Sequence, residues 1–390
     1  MKILIIHPRL VVGGAEKVIL LLANSLRRIG VKVNLLFSEI DMKALQLLGI
    51  ETKDDSFIQN INQSKTRTNM GPFFKSIEYF EDLSKLYLFI KKVHDAYDVI
   101  NPHNFPAYWS TVAIKNNIPV IWTCHEVFGP YGVFRDYYDE SFLMKPLMKL
   151  SCQIDSQIVR KYVTKIITNS KRNAKLIAKR YNRRSEVIYP PINLEVYNRR
   201  KVSDKPVDGE FVMLQVGSLV KLKNQASSIL ALKIVKKIIP QSKLIILGNG
   251  PWKNRLTYLT KELKLTKDVI FMNYVDEATL AKIYSSCDLY LNPVLEQSFG
   301  LTPFEALASG TPTIVSRRCG AAEIIQRYAP EMLTEPRPRD IAQKILEVYK
   351  NYDRFMDKTE ILGRIIAREL SPTKYAEKTL MLIKSVLGEP

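Results

Sequence analysis

The sequence predicts an α/β protein made of two tandem doubly wound parallel sheets. Three observations carry this. Short apolar runs without alternation are each followed by a segment with a helical apolar period. A polar stretch, residues 193–210, interrupts that series. The series then restarts at Phe211. Non-alternating apolar runs suit strands buried on both faces, and repeated β-then-α order gives parallel pairing with right-handed crossovers.

Residues 2–6, Lys-Ile-Leu-Ile-Ile, are the first expected strand. A loop with Gly13 and Gly14 follows. Residues 15–28 then carry Val18, Leu21, Leu22 and Leu26 at helical spacing, and Gly30 ends the helix. Residues 31–37 return as a strand, and 98–100, 119–124, 165–168 and 186–189 are further short strands. The first domain is therefore expected over 1–192, with 193–210 as the linker. In the second half, strands are expected at 211–216, 243–247, 269–271, 289–292 and 313–315. Helices such as 225–239 and 277–286 separate them. From about Asp340 the chain is helical. The second domain is expected over 211–371, and the last helix, 372–390, is expected to return to the first domain. Ligands of such sheets bind outside the carboxyl ends of the strands, so the expected site is the cleft between the domains.

Composition excludes several classes. Hydrophobic residues make up 46% and charged residues 25% of the 390, as in globular proteins. No apolar run approaches the ~18–20 residues that span a bilayer, and the apolar start is too short for a secretion signal. The four cysteines, Cys124, Cys152, Cys287 and Cys319, are scattered, without metal or disulfide spacing. Buried free thiols and a cytoplasmic location are expected. The net charge of +19 favours anionic partners. Many of the cations lie between Lys145 and Arg184, yet nothing there has the pattern of a helix-turn-helix, a zinc finger or an RNA-binding module, so nucleic acid is not an expected partner. Neither half has the Gly-x-Gly-x-x-Gly spacing of a dinucleotide fold. A P-loop and a Gly-x-Ser-x-Gly elbow are absent too.

The stretch from Glu296 to Gly310 carries the chemistry. It reads as strand, loop, helix, strand, with Phe299-Gly300 where the loop turns into the helix. The N–H groups and dipole of a first helical turn suit a phosphate. Glu305, one turn on, can accept hydrogen bonds from sugar hydroxyls. The alternative is a plain amphipathic helix with Glu305 in solvent.

With this stretch, the rest of the chain resembles a known family. In order stand Gly13-Gly14-Ala15-Glu16, Asn101-Pro102-His103-Asn104, Thr123-Cys124-His125-Glu126, Thr168-Asn169-Ser170 and Val187-Ile188-Tyr189-Pro190-Pro191. Val216-Gly217-Ser218-Leu219, Lys223-Asn224-Gln225, Gly248-Asn249-Gly250-Pro251, Phe299 through Ala306 and Gly310-Thr311-Pro312 follow. This order resembles the family 4 glycosyltransferases of the GT-B fold, over essentially the full length. The resemblance implies a retaining enzyme that needs no metal or other cofactor and takes a nucleotide-sugar donor on its second domain. It implies an acceptor on the first. Glu305 matches the second Glu of the family's Glu-x7-Glu motif, which binds ribose. Phe299, Gly300 and Leu301 match the segment whose amides meet the donor, and Lys223 the cation at the diphosphate. Gly217 and Gly248 fall on donor-binding strand ends. Gly13 and Gly14 match the loop that approaches the donor phosphates, and His125 a histidine beside the donor sugar. His103 and Glu126 are expected on the acceptor side.

Two departures stand out. The family's first Glu falls on Gln297, with Glu296 just before it, and its usual Arg falls on Ser218, where Lys221 could substitute. They keep open an inactive sugar-nucleotide-binding relative. A nucleic-acid-binding protein rests on charge alone, and a sugar-nucleotide 2-epimerase fits the Gly-Gly-Ala-Glu and Lys-Asn-Gln segments poorly. The expected reaction moves a mannose- or glucose-type sugar from a UDP- or GDP-sugar to a glycan or lipid-linked acceptor. The expected place is the inner face of the cell membrane. Phe73, Phe74, Ile77, Phe80, Leu83, Tyr87, Phe89 and Ile90 precede Lys91-Lys92. Leu143, Met144, Leu147 and Met148 lie among Lys145, Lys149, Arg160 and Lys161. Cations beside apolar groups suit an anionic membrane surface.

Overall fold

A computed structural model describes residues 1–48, 58–60, 72–114, 118–129, 144–197 and 205–389. They form two compact units. Unit 1 comprises Met1–Pro191 with Pro372–Pro390, and unit 2 comprises Ile192–Ser371.

In unit 1 the strands are β1 (Lys2–Leu10), β2 (Lys32–Ile40), β3 (Ile58–Asn60), β4 (Val99–Pro102), β5 (Ile121–Cys124), β6 (Lys165–Thr168) and β7 (Glu186–Val187). All ladders are parallel, in the orders β3-β2-β1-β4 and β5-β6-β7. Single parallel bridges, Ile100 to Val120 and His103 to Thr123, join the two groups. Ile3 to Ile6 are at most 1% exposed, which explains the run without alternation. The helix Gly14–Arg28 buries Val18, Ile19, Leu22 and Leu26 and ends before Gly30, whose φ of 84° suits only glycine well. The final helix, Pro372–Leu387, packs on Gly14–Arg28.

In unit 2 the strands are β8 (Val212–Val216), β9 (Lys243–Leu247), β10 (Val269–Met272), β11 (Leu289–Asn292), β12 (Thr313–Ser316) and β13 (Leu333–Thr334). The order β10-β9-β8-β11-β12-β13 is doubly wound, with its reversal between β8 and β11.

Three expectations need adjustment. The helix expected over 225–239 stops at Val235, after which the amides of Lys237 and Ile238 bond three residues back, to Ile234 and Val235, in tighter turns. The stretch expected as linker begins inside unit 2. Leu194–Tyr197 is a helical turn, and Tyr197, 1% exposed, sets its ring edge-on to Tyr284. Arg199, Arg200, Lys201 and Asp204 lie outside the described residues. All four cysteines are free, but Cys152 is only partly buried.

Candidate active site

The reversal point of unit 2 gathers most of the second-half candidates, because β8 and β11 are hydrogen-bonded neighbours and both end there. After β8, Gly217 has φ 147° and the stem of Lys223 lies over it, with Cδ and Cε 3.6 Å from where a Cβ would be. Lys223 closes a short 3-10 turn, Lys221–Lys223, and its carbonyl accepts from Gln215 Nε2 at 2.7 Å. Asn224, left-handed at φ 59°, donates from Nδ2 to the carbonyls of Pro293 and Pro336, at 2.8 and 2.9 Å. That ties the loop after β8 to the segment after β11. Ser218 is exposed, with its hydroxyl 3.1 Å from that of Tyr274. Gly248 is a packing glycine, since a Cβ there would sit 2.1 Å from the Gly217 carbonyl oxygen.

After β11 the loop runs through Glu296 and Gln297, both partly buried, to the helix Thr302–Ala308. Phe299 is 3% exposed and stacks on Phe304. Gly300 has φ 94°, and a Cβ there would meet Gln297 Oε1 at 3.1 Å. Cys319 Sγ would be met at 3.0 Å, so Gln297 and Cys319 both lie against the Phe299-Gly300 turn. Leu301 precedes the helix and its carbonyl accepts from the Glu305 amide at 3.0 Å. Glu305 is 3% exposed, and Oε2 accepts from the Tyr284 hydroxyl at 3.1 Å. The solvent-facing alternative for this carboxylate is thereby excluded.

Sequence reasoning missed what holds this loop. Cys319 Sγ donates to the Phe299 carbonyl at 2.8 Å, and the Gly320 amide donates to the Gln297 carbonyl at 3.0 Å. A Cβ on Gly320 would sit 2.0 Å from the Ser298 oxygen, so only glycine lets the segments meet. A glycine soon after a strand was the available signal.

In unit 1 the candidates cluster at the carboxyl ends of β1, β4 and β5. Gly13, an extended N-cap, would place a Cβ 2.4 Å from Glu16 Oε2. The space beside it is filled by Glu16, a role not foreseen. Gly14 is exposed. His125 follows β5 and is 7% exposed, and burial lowers its pKa to about 3. His103 corrects the acceptor-side assignment. It is fully buried, Nδ1 lies 2.9 Å from His125 Nε2 and Nε2 lies 2.9 Å from Asn101 Oδ1. Both ring nitrogens face protein, so His103 does not touch an acceptor. Glu126, next to His125 in the chain, is exposed.

The first half of the chain, residues 12–196, matches the family model described as Glycosyltransferase Family 4, and residues 198–363 match Glycosyl transferases group 1. The chain is a family 4, group 1 glycosyltransferase. Such an enzyme transfers a sugar from a nucleotide-sugar. An uncharacterised glycosyltransferase of Methanocaldococcus jannaschii is 27% identical over 353 residues, 86% of this chain and 84% of that one. An alpha-monoglucosyldiacylglycerol synthase of Acholeplasma laidlawii is 26% identical over 214 residues, 52% of this chain and 54% of that one, so the chain spans about half the length of that relative. Among solved structures, Anabaena HepE in complex with UDP-glucose has a TM-score of 0.74 and 17% identity, over 99% of this glycosyltransferase and 100% of that chain. The shared architecture is GT-B.

Glu16 gives the glycosyltransferase a testable pH dependence. It is 6% exposed, with His7 Nδ1 4.0 Å away, and burial raises its pKa from 4.5 to about 7. His7 gives its Nδ1 hydrogen bond to the Arg9 carbonyl, and burial lowers its pKa to about 4. A raised carboxyl pKa means that ionisation costs more in the folded than in the unfolded chain. Stability is full below 4.5, falls as pH rises towards 7, and is flat above. The loss amounts to about 3 kcal/mol. Glu16→Gln is therefore expected to gain stability relative to the wild type between pH 4.5 and 7.5, read as the difference in unfolding free energy. A difference that does not change with pH would show that Glu16 does not titrate there.

Proposed function

We propose that this glycosyltransferase is a retaining hexosyltransferase. It moves a mannose- or glucose-type sugar from a UDP- or GDP-sugar, without a metal or other cofactor, to a glycan or lipid-linked acceptor at an anionic membrane surface. One observation carries the donor half of the reading. Lys223, the Phe299-Gly300-Leu301 turn and buried Glu305 all sit at the strand reversal of unit 2, where open α/β sheets bind ligands. HepE, of the same fold, was solved with UDP-glucose. In this reading Glu305 accepts the ribose hydroxyls and Lys223 neutralises the diphosphate. Gly217, Ser218 and Gly248 bring backbone close to it. Gln297 or Glu296 lies towards the sugar, and the family resemblance gives His125 a bond to a sugar hydroxyl.

The chemistry follows from the leaving group. The bond from the anomeric carbon to the phosphate oxygen breaks, and the diphosphate leaves as an anion from an oxocarbenium-like centre. Catalysis is mainly stabilisation of that anion. The acceptor hydroxyl attacks on the face the diphosphate leaves, and its proton passes to a diphosphate oxygen. No side chain is assigned as a covalent nucleophile.

Lys223→Ala is expected to weaken nucleoside diphosphate binding about tenfold or more, with little effect on the nucleoside. Calorimetry in the presence of EDTA reads both. Equal losses would remove Lys223 from the phosphates, and wild-type diphosphate binding lost on chelation would overturn the metal-free reading.

The membrane half rests on a smaller surface than the sequence suggested. Ile90 and Met148 are core, at 0% and 8% exposure, and Leu83, Tyr87 and Phe89 pack partly against core. Phe73, Phe74, Ile77, Leu143, Met144, Lys145 and Leu147 have side chains outside the described residues. What remains outward is Phe80 and Leu88 on the helix Pro72–Val93, and Leu150 and Ile154 on the helix Met144–Tyr162. Lys91 and Lys92 are exposed near the former pair, and Lys149, Arg160 and Lys161 on the latter helix. Among the described residues no helix is long and apolar enough to cross a membrane. Exposed apolar groups flanked by cations suit interfacial binding. Co-sedimentation with anionic vesicles, weakened by salt and absent with neutral vesicles, is the expected outcome. A protein left in the supernatant at low salt with anionic vesicles would move the acceptor into solution.

A further inference from the structure

The hydrogen bonds around His103 run in a single direction. Asn101 Nδ2 reaches the Ile121 carbonyl and, at 2.9 Å, Thr123 Oγ1. A carbonyl only accepts, so this atom of Asn101 is the amide nitrogen and its Oδ1 is the atom facing His103. Oδ1 also only accepts, so His103 carries its proton on Nε2 and donates across 2.9 Å. His103 Nδ1 is then a lone pair, and His125 Nε2, 2.9 Å away, must be the donor. That leaves Nδ1 of His125 unprotonated. Among the described residues it has no hydrogen-bond partner, and His125 keeps 7% exposure where His103 has none. The opposite direction would need Asn101 flipped, with its oxygen facing the Ile121 carbonyl oxygen.

The backbone fixes the ring as well. The His125 amide donates to Asn104 Oδ1 at 3.3 Å, and the His125 carbonyl accepts from Asn169 Nδ2 at 2.9 Å and from Asn173 Nδ2 at 3.4 Å. His125 is thus held by groups that leave one ring atom unused. His7 and His94 differ. Each donates from Nδ1 to a carbonyl, of Arg9 at 2.8 Å and of Ile90 at 3.0 Å.

We propose that Asn101 and His103 are positioning residues that hold His125 as its Nε2–H tautomer, so that Nδ1 is a fixed hydrogen-bond acceptor for a hydroxyl of the bound sugar. A neutral acceptor nitrogen selects a hydroxyl and gives nothing to a phosphate. The functional half rests on the reading of His125 as a donor-sugar contact. The tautomer half rests on geometry alone.

Long-range proton–nitrogen correlation on 15N-histidine protein at pH 7.5 tests the tautomer half, with peaks assigned through His103→Gln and His125→Gln. His103 and His125 are expected to carry their protons on Nε2, and His7 and His94 on Nδ1. A proton on His125 Nδ1 overturns the proposal whatever the activity. Kinetics test the functional half. His103→Leu leaves His125 Nε2 without its acceptor, and kcat is expected to fall about tenfold while UDP or GDP binding stays unchanged. His103→Gln can donate to Asn101 and accept from His125, and is expected to restore kcat to within about threefold of the wild type. Equal kcat for His103→Leu and wild type, with the tautomers as expected, would remove His125 from the sugar while leaving the hydrogen-bond order intact. Loss in both variants alike would mark His103 as a packing residue and overturn the positioning role.

Discussion

Glu305→Gln is expected to lower the affinity for the nucleotide donor by about three- to tenfold for each ribose hydroxyl it binds, and to lower transfer with it, with the fold retained. The carboxylate is buried, and its Oε2 takes the Tyr284 hydroxyl. A glutamine of the same shape can still accept that bond through its amide oxygen. What it loses is charge. A hydrogen bond to an ionised acceptor contributes about 1.5–3 kcal/mol, against about half that for a neutral one. If Glu305 holds the ribose, the loss must appear with the free nucleoside as well as the diphosphate, the reverse of the pattern expected for Lys223. Titration of both ligands into the variant decides it. Donor affinity equal to that of the wild type would leave Glu305 as a structural partner of Tyr284 and return the site to other residues.

Asp155→Ala is expected to destabilise unit 1 by about 3–5 kcal/mol. Asp155 is fully buried on the helix Met144–Tyr162. Its Oδ1 accepts from the Tyr108 hydroxyl and, at 2.8 Å, from Trp109 Nε1, while Oδ2 accepts from the Tyr181 hydroxyl at 2.7 Å. Arg180 Nη2 lies 3.5 Å from Oδ2. Burial raises the carboxyl pKa, and the three hydrogen bonds oppose it. Around this node Tyr108 stacks on Trp122 at 4.2 Å between ring centroids, and Trp122 meets Tyr181 edge-on. Alanine would orphan three buried donors at once. Asparagine keeps the shape and at least one acceptor, so Asp155→Asn should cost about 1–2 kcal/mol. Trp109 and Trp122 give a fluorescence signal from within the same core. Denaturation followed by that signal, with an alanine variant within about 1 kcal/mol of wild type, would show that the node contributes little.

The residues of the second half were legible because local patterns place them. A glycine must follow β8 where the backbone takes φ 147°, and another must follow β11 at φ 94°. Gly217 ends an apolar run and Gly300 stands where the loop after one turns into a helix, points that sequence alone can mark. Glu305 was legible for a similar reason, one helical turn beyond such a point. Its burial was not, because the partner, Tyr284, stands 21 residues earlier on another helix. Gln297 could be placed only by Cys319 and Gly320, which arrive from the end of β12.

By itself the sequence determined the strand and helix order, the doubly wound class of both halves and the lines of candidate residues at strand ends. Apolar period, glycine and proline act over a few residues, so they survive without tertiary context. Only the tertiary structure decided that His103 is buried as the middle of a hydrogen-bond series, that Glu16 fills the space beside Gly13 and that Met148 and Ile90 are core. The register between β4 and β5 sets Asn101, His103, Thr123 and His125 against one another. The direction of the bonds around His103 and the burial of its ring depend on Thr123 and His125, which the fold brings from about twenty residues away, and no local pattern encodes them.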